Sequence, residues 1–375
     1  MLAWRPQGEL RMPSNSGATS STAKRIAVIP GDGIGPEVTR EAVKALKAAT
    51  SGRRPQLEFT EFDWGAERYL RDGTTLPSDA VAMLRRDFDA ILFGAVGDPR
   101  VPSNKHSADI LLGLRAKLDL YVNLRPVELI DAALTPLRDR GTNDVNFVVI
   151  RENTEGLYVG MGGQFQRGTP HEVAVQEDVN TRKGVERIIR YAFEYARQHN
   201  LGRVCMSDKS NALTFGHELW LRVFCQVKDE YPDIESRHLY IDALAMEVVR
   251  DPGQFRVIVT CNLFGDILSD LGAQLAGGLG LAPSGNIHPG RISLFEPVHG
   301  SAPTIAGKNL ANPSGAVLAS ALMLDHLELG SQAETLRKAV RTAVREKHTT
   351  IDLGGTLGTR EAGDWLADYV TKNPA

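Results

Sequence analysis

Three arginines, three aspartates, a lysine and a tyrosine in this 375-residue chain are spaced to suit work on a polyanionic small molecule. Arg115 and Arg125 lie ten positions apart, and Arg151 follows the apolar run 145–150. Guanidinium forks match carboxylates, and open α/β sheets place ligands beyond their strand ends. The trio therefore fits a carboxylate clamp, although surface ion pairing fits the same spacing. Asp266 and Asp270, four apart, share one face of a helix, and Asp242 offers a third oxygen donor. Hard oxygen ligands without Cys or His suit Mg²⁺ or Mn²⁺. Acids at a helix start also answer its dipole, which accounts for Asp266 but not for all three. Lys209, just past the run 204–207, suits a general base if a cation and arginines nearby disfavour its charge, and Tyr158 suits the matching acid. Singly, each also fits a structural role.

The elements that must hold these residues are legible as an alternation. The run 26–30 reads as a buried strand, followed by the glycine turn Gly31-Asp32-Gly33-Ile34-Gly35 and a helix entered at Pro36 with Glu37 in its first turn. Residues 77–86 predict a helix and 90–96 a strand; further strands are expected at 145–150, 204–207 and 257–260. Helices are expected at 182–199, 212–228 and 332–345, with another opening at 262–270. Strands alternating with helices predict an α/β fold with a largely parallel sheet. The glycine turn is GxGxG, not the dinucleotide fingerprint GxGxxG, so a plain strand-to-helix turn and a ligand loop both remain open. Turn residues around Val173-Ala174-Val175 predict a β-hairpin arm across 160–176, with a surface loop as the alternative.

Composition narrows the function classes. The chain has 46 acidic and 43 basic residues, a net charge of −3, so no general attraction to nucleic acid or acidic lipid is expected. No apolar run reaches the ~18 residues of a membrane span. Cys205, Cys225 and Cys261 form no CxxC pair, which fits a reducing, cytoplasmic setting better than a disulfide framework. Residues 1–23, rich in Ser, Thr, Gly and Pro, predict a disordered tail or an early start with Met12 as the true one.

Five strings taken in order resemble one family, the metal-dependent β-decarboxylating dehydrogenases of 2-hydroxy acids (the isocitrate/isopropylmalate dehydrogenase family). They are Gly31-Asp32-Gly33-Ile34-Gly35-Pro36-Glu37, Asn123-Leu124-Arg125-Pro126, Arg151-Glu152-Asn153-Thr154-Glu155-Gly156, residues 262–270, and Glu296-Pro297-Val298-His299-Gly300-Ser301-Ala302-Pro303. The resemblance implies a non-Rossmann two-domain α/β fold of the isopropylmalate dehydrogenase type. Residues 24–122 with 277–375 would form a large nucleotide-binding domain, and 123–276 a smaller dimerisation and substrate domain with the arm. It implies a homodimer whose active sites are shared, with Lys209 and Asp242 reaching over from the second subunit.

By the same resemblance, Arg115, Arg125, Arg151 and Asn211 bind the hydroxy acid, with Leu111 and Leu112 as its apolar wall. Tyr158 matches the acid, Lys209 the base, and Asp242, Asp266 and Asp270 the metal ligands. The dinucleotide would meet Ile34, Glu296, His299, Gly300, Ser301, Ala302, Pro303, Thr304, Ile305 and Asn312. Thr304 stands where NAD-dependent members commonly carry aspartate, yet Thr304-Ile305 also lacks the lysine–tyrosine pair of NADP-dependent ones, so NAD is expected. Ala108 replaces a frequent glutamate near the nicotinamide ribose, and Asp109 is the expected substitute. The leucine pair would bury an isopropyl group worth about 2 kcal/mol, which points to 3-isopropylmalate and leucine biosynthesis. The alternatives are tartrate or D-malate, then isocitrate or homoisocitrate; Asn153-Thr154-Glu155-Gly156 is the version common in isocitrate, homoisocitrate and tartrate members. A catalytically silent regulatory paralogue is the non-enzyme alternative.

Overall fold

The computed structural model describes residues 23–374; the expected tail lies outside them except for Ala23. Ten strands form one sheet: β1 (Lys24–Gly31), β2 (Leu57–Glu61), β3 (Ala90–Ala95), β4 (Val122–Glu128), β5 (Asn146–Glu152), then β8 (Arg203–Asp208), β9 (Glu235–Tyr240), β10 (Val257–Thr260), β11 (Pro283–Ile287) and β12 (Ser293–Pro297). Between β5 and β8 the chain makes a separate antiparallel hairpin, β6 (Gly162–Phe165) and β7 (Val173–Gln176). The hairpin expectation holds. All eight of its strand residues are exposed, Phe165, Val173 and Val175 among them.

The sheet order is β2-β1-β3-β12-β11-β4-β5-β10-β8-β9. Its neighbours are parallel except β12–β11, β11–β4 and β4–β5. Those three reversals set the strands of 146–260 antiparallel to those of the chain's two ends, so β11 and β4 form the seam between two oppositely directed parallel halves. Strands such as β3 and β10, buried at every residue, read as unbroken apolar runs because helices cover both faces.

The helices are α1 (Gly35–Thr50), α2 (Ala66–Asp72), α3 (Ala80–Asp87), α4 (Lys105–Ser107), α5 (Gly113–Lys117), α6 (Arg182–Gln198), α7 (Gly216–Lys228), α8 (Ile241–Arg250), α9 (Asn262–Leu275), α10 (Ser314–His326), α11 (Gly330–Arg345) and α12 (Thr359–Lys372). A π-wound stretch, Ala108–Leu112, joins α4 to α5. Helix α1 packs on α10 and α12 beside β1 and β3, while α6 lies over β5, β8 and β10 against α7. The helix expected from 212 begins at Gly216, because the amides of Ala212 and Leu213 both turn back to the Lys209 carbonyl.

The glycine turn resolves as a packing device. Gly31 (φ +72°) and Gly33 (φ +58°) take left-handed backbone, and a Cβ on either would lie 1.9 Å from a carbonyl oxygen, of Ala95 and Ser301 respectively. The turn can therefore press directly on the 299–305 segment, where Ile34 N donates to Ser301 O at 2.8 Å.

Candidate active site

A cavity of about 200 Å³ opens at the seam, lined by Leu111, Arg115, Arg125, Arg151, Tyr158, Asp266 and Glu296 with the 297–300 segment. The three expected arginines do converge. They come from three elements: Arg115 from α5, Arg125 from β4 and Arg151 from β5. Arg151 is 1% exposed; its Nη1 donates to Asp266 Oδ1 at 2.6 Å, while Nε and Nη2 both donate to Asn262 Oδ1. Arg125 Nη1 donates to Ser269 Oγ at 2.7 Å and lies 3.1 Å from Asp266 and 3.4 Å from Asp270. Arg115 Nη2 meets Glu296 Oε1 at 3.0 Å. The Nε atoms of Arg115 and Arg125 are buried without a partner.

Burial, and then the other two guanidiniums, pull Arg151 below its ordinary value, and burial does the same to Arg125. The cause is desolvation of three neighbouring guanidiniums, each of which already has a carboxylate beside it. Burial would raise the Asp266 carboxyl, but Arg151 and Arg125 outweigh it and hold the group below the usual carboxylate range. Burial raises Asp270 instead, against the pull of Arg125. Tyr158 donates its hydroxyl to Asp266 Oδ2 at 3.0 Å beneath the Arg151 guanidinium. Burial and the Asp266 charge raise its pKa, so it keeps its proton at neutral pH, as a general acid must.

Lys209 and Asp242 are not part of this cavity within one chain. They pair with each other at 2.6 Å, on the β8–α7 turn and at the start of α8. Among the described residues no three His, Cys, Asp or Glu side chains gather into a metal-holding cluster; the carboxylate trio is not assembled by a single copy. What one copy does present fits a hard cation: Asp266 and Asp270 project from one face of α9, and the Asp270 side chain is 52% exposed. Asn211 lies exposed on the turn after Lys209, away from the cavity.

The two leucines expected as an apolar wall are placed differently. Leu111 lines the cavity together with Ala95, Val96, Pro297 and Val298, whereas Leu112 does not and is exposed. Successive side chains on a helical turn leave it in different directions, and here that of Leu112 faces outward. Asp109, the expected substitute for the missing glutamate, is held by Lys105 at 2.6 Å and Thr75 at 3.2 Å.

On the dinucleotide side, His299 and Gly300 border the cavity. Burial lowers the His299 pKa; its Nδ1 donates to the Gly300 carbonyl at 3.1 Å, so the partnerless buried Nε2 of the neutral ring is an acceptor. Gly300 leaves open space where a Cβ would stand, Ala302 takes a left-handed φ of 40°, and Pro303 and Thr304 are exposed beside Ile305. Asn312 donates to Asp352 at 3.0 Å and accepts from Ser314 N. Glu296 is committed to Arg115 and Asn286. Asn262, Ser269 and Asn286, which orient the charged groups, escaped the sequence reading. Short polar residues inside apolar strands and helix starts carry no periodic signal.

The model of the isocitrate/isopropylmalate dehydrogenase family matches residues 25–366. The chain belongs to this family. It is 47% identical over 355 residues to the 3-isopropylmalate dehydrogenase of Thermobifida fusca, covering 94% of this chain and 99% of that one. It is 46% identical over 350 residues to that of Streptomyces coelicolor, covering 92% and 100%. Among solved structures, an isocitrate dehydrogenase from Methylococcus capsulatus superposes with a TM-score of 0.84 at 37% identity, covering 93% of this chain and 99% of that one. A β-decarboxylating dehydrogenase from Thermococcus kodakarensis gives 0.76 at 38%, covering 93% and 96%. Membership makes the chain a decarboxylating dehydrogenase with the mixed α/β fold of these relatives. Among the described residues no helix is long and apolar enough to cross a membrane.

Proposed function

We propose that this enzyme oxidises and decarboxylates 3-isopropylmalate to 2-oxoisocaproate, the leucine-biosynthetic reaction, with NAD as hydride acceptor and Mg²⁺ or Mn²⁺ as metal. The observation that carries it is one cavity lined both by Arg115, Arg125 and Arg151 and by Leu111, Ala95 and Val96. That combination takes a dicarboxylate with an apolar substituent. Relatives of 46–48% identity named for this substrate support the choice.

Arg115, Arg125 and Arg151 bind and orient the two carboxylates through their forked donors, of which Nε of Arg115 and of Arg125 has no partner within the chain. Tyr158, protonated at neutral pH, delivers the proton to the carbon that loses CO₂. Lys209 of a second copy accepts the hydroxyl proton. Asp266 and Asp270, with Asp242 of that second copy, would hold the cation, which supplies Lewis-acid polarisation of the hydroxyl. The segment 299–305 with Ile34 and Asn312 would seat the dinucleotide, Thr304 at the adenosine ribose.

In this reading the two halves of the sheet act as lobes, residues 24–122 with 277–375 and residues 123–276, and the cavity lies at their seam. A homodimer with shared sites is supported by the Lys209–Asp242 pair standing outside its own cavity. Further support comes from apolar residues left exposed on the hairpin, on α8 (Met246, Val249) and on α9 (Ile267). Cys205, Cys225 and Cys261, all free thiols, fit a cytoplasmic setting.

The test is kcat/KM of purified protein with 3-isopropylmalate, D-malate, tartrate and isocitrate, each with NAD⁺ and NADP⁺. With Leu112 off the wall, D-malate is the strongest competitor; its preference over 3-isopropylmalate would overturn the substrate and leave the reaction class standing.

A further inference from the structure

We propose that Asn286 is a positioning residue that sets the grip of Arg115 on the hydroxy acid by way of Glu296, an inference that rests on the reading of the cavity above. Asn286 lies on the seam strand β11 and is 0% exposed. Its Oδ1 accepts from Asn123 Nδ2 at 3.1 Å and from Asn153 Nδ2 at 2.9 Å. Its Nδ2 donates to Glu296 Oε1 at 2.7 Å and faces the Leu294 carbonyl at 3.5 Å. Only this amide orientation works: the flipped one sets oxygen against a carboxylate and NH₂ against two amide donors.

The same Glu296 oxygen accepts from Arg115 Nη2 at 3.0 Å. Both charged residues are nearly buried, and Arg115 Nε has no partner, so the bond to Glu296 governs where the guanidinium points. A charge-assisted bond in a dry setting is strong and directional. The chain Asn123/Asn153–Asn286–Glu296–Arg115 crosses the seam from β4 and the end of β5 to β12 and α5. It therefore references one lobe's arginine to the other lobe's backbone. Glu296 is the one link also expected to meet the dinucleotide, and none of the bonds reaches the 299–305 segment, so the effect should fall mainly on the hydroxy acid and far less on the dinucleotide.

Two variants test this. Asn286→Asp keeps the shape but faces Glu296 with a second carboxylate; Asn286→Ala removes the donor outright. In both, KM for the hydroxy acid should rise about tenfold, with kcat and the dinucleotide KM changed far less. The charged groups facing position 286 are Glu296 and Arg115, and its other neighbours here, Asn123 and Asn153, are neutral. Acidification should therefore restore the Asp variant alone, because a protonated carboxyl donates to Glu296 as the amide does. An unchanged hydroxy-acid KM, or both KM values rising in step with a falling Tm and no acid rescue, overturns the proposal. If wild type oxidises none of the four acids, the functional reading has failed. A crystal structure of the Ala variant then decides this inference separately: Arg115 should leave Glu296, and an intact 3.0 Å pair overturns it.

Discussion

Tyr158 and Arg151 grip opposite oxygens of one carboxylate: the tyrosine hydroxyl meets Asp266 Oδ2 at 3.0 Å and the guanidinium meets Oδ1 at 2.6 Å. Asp266 thereby keeps the proton donor and the anion clamp in register before any ligand arrives. Preorganisation of this kind costs nothing at the moment of reaction.

Asp266→Asn keeps the shape of the side chain but removes the charge and replaces one acceptor oxygen with an NH₂ donor, so that Tyr158 must accept where it donated. We expect kcat to fall by about 10²–10³-fold and the fold to survive. Loss of counter-charge to Arg151 and Arg125 should cost no more than about 1–3 kcal/mol, since the side chain is 33% exposed. Initial rates and urea unfolding measure the two; near-normal kcat in saturating Mg²⁺ would refute the role.

The pH dependence has a definite sign. The Asp266 carboxyl is held down in the folded state by its arginines, against burial. Its stabilising contribution is therefore complete above the unfolded value near ~4 and is lost as pH falls through the lower folded value. The stability gap between wild type and Asp266→Asn should be constant at pH 5–7 and close under acid. A gap that widened under acid would contradict the assignment.

Leu111 and Leu112 make a matched pair of probes. Leu111→Ala should lower kcat/KM for 3-isopropylmalate by about tenfold or more, with little effect on D-malate. Leu112→Ala should change neither. Equal losses at both positions would mean that the wall is formed differently when substrate is bound.

Sharing of sites between copies can be tested by complementation. Lys209→Ala and Asp266→Asn should each be inactive alone. After mixed refolding, heterodimers regain one intact site, and about a quarter of wild-type activity should return by random pairing. No recovery in a verified heterodimer means that Lys209 serves its own chain.

Thr304→Asp should move the ratio of kcat/KM values toward NAD⁺, by giving the ribose hydroxyls an acceptor and repelling a 2′-phosphate. The ratio from paired assays with the two dinucleotides is the measurement.

Elements with strong periodicity were legible in the sequence: α6 and β10 fall where their apolar spacing places them, and the arginine trio converges as its position beside strands suggested. The seam was not. Strand β4 contains Pro126, which argues against a central strand, and β11 reads Pro-Ser-Gly-Asn-Ile, with a single branched residue at its end. Helix α10 is buried on nearly every side, so it lacks the two-faced pattern that reveals a helix. Of the polar residues that orient the site, Asn286 sits in one of these unmarked strands, while Asn262 and Ser269 lie on α9, whose motif carried no sign of their contacts. Membership of a cavity built from three non-contiguous elements is a property of the tertiary fold, which is why Leu111 and Leu112 could not be told apart beforehand.

The exposed apolar hairpin has a consequence for how this protein is made. A two-stranded ribbon with both edges open and Phe165, Val173 and Val175 in water is at best marginal by itself. Its ordering and the meeting of two chains should then be one event, governed by mass action. Thermal stability should climb with protein concentration, and dilution should inactivate the enzyme slowly, on the timescale of subunit exchange.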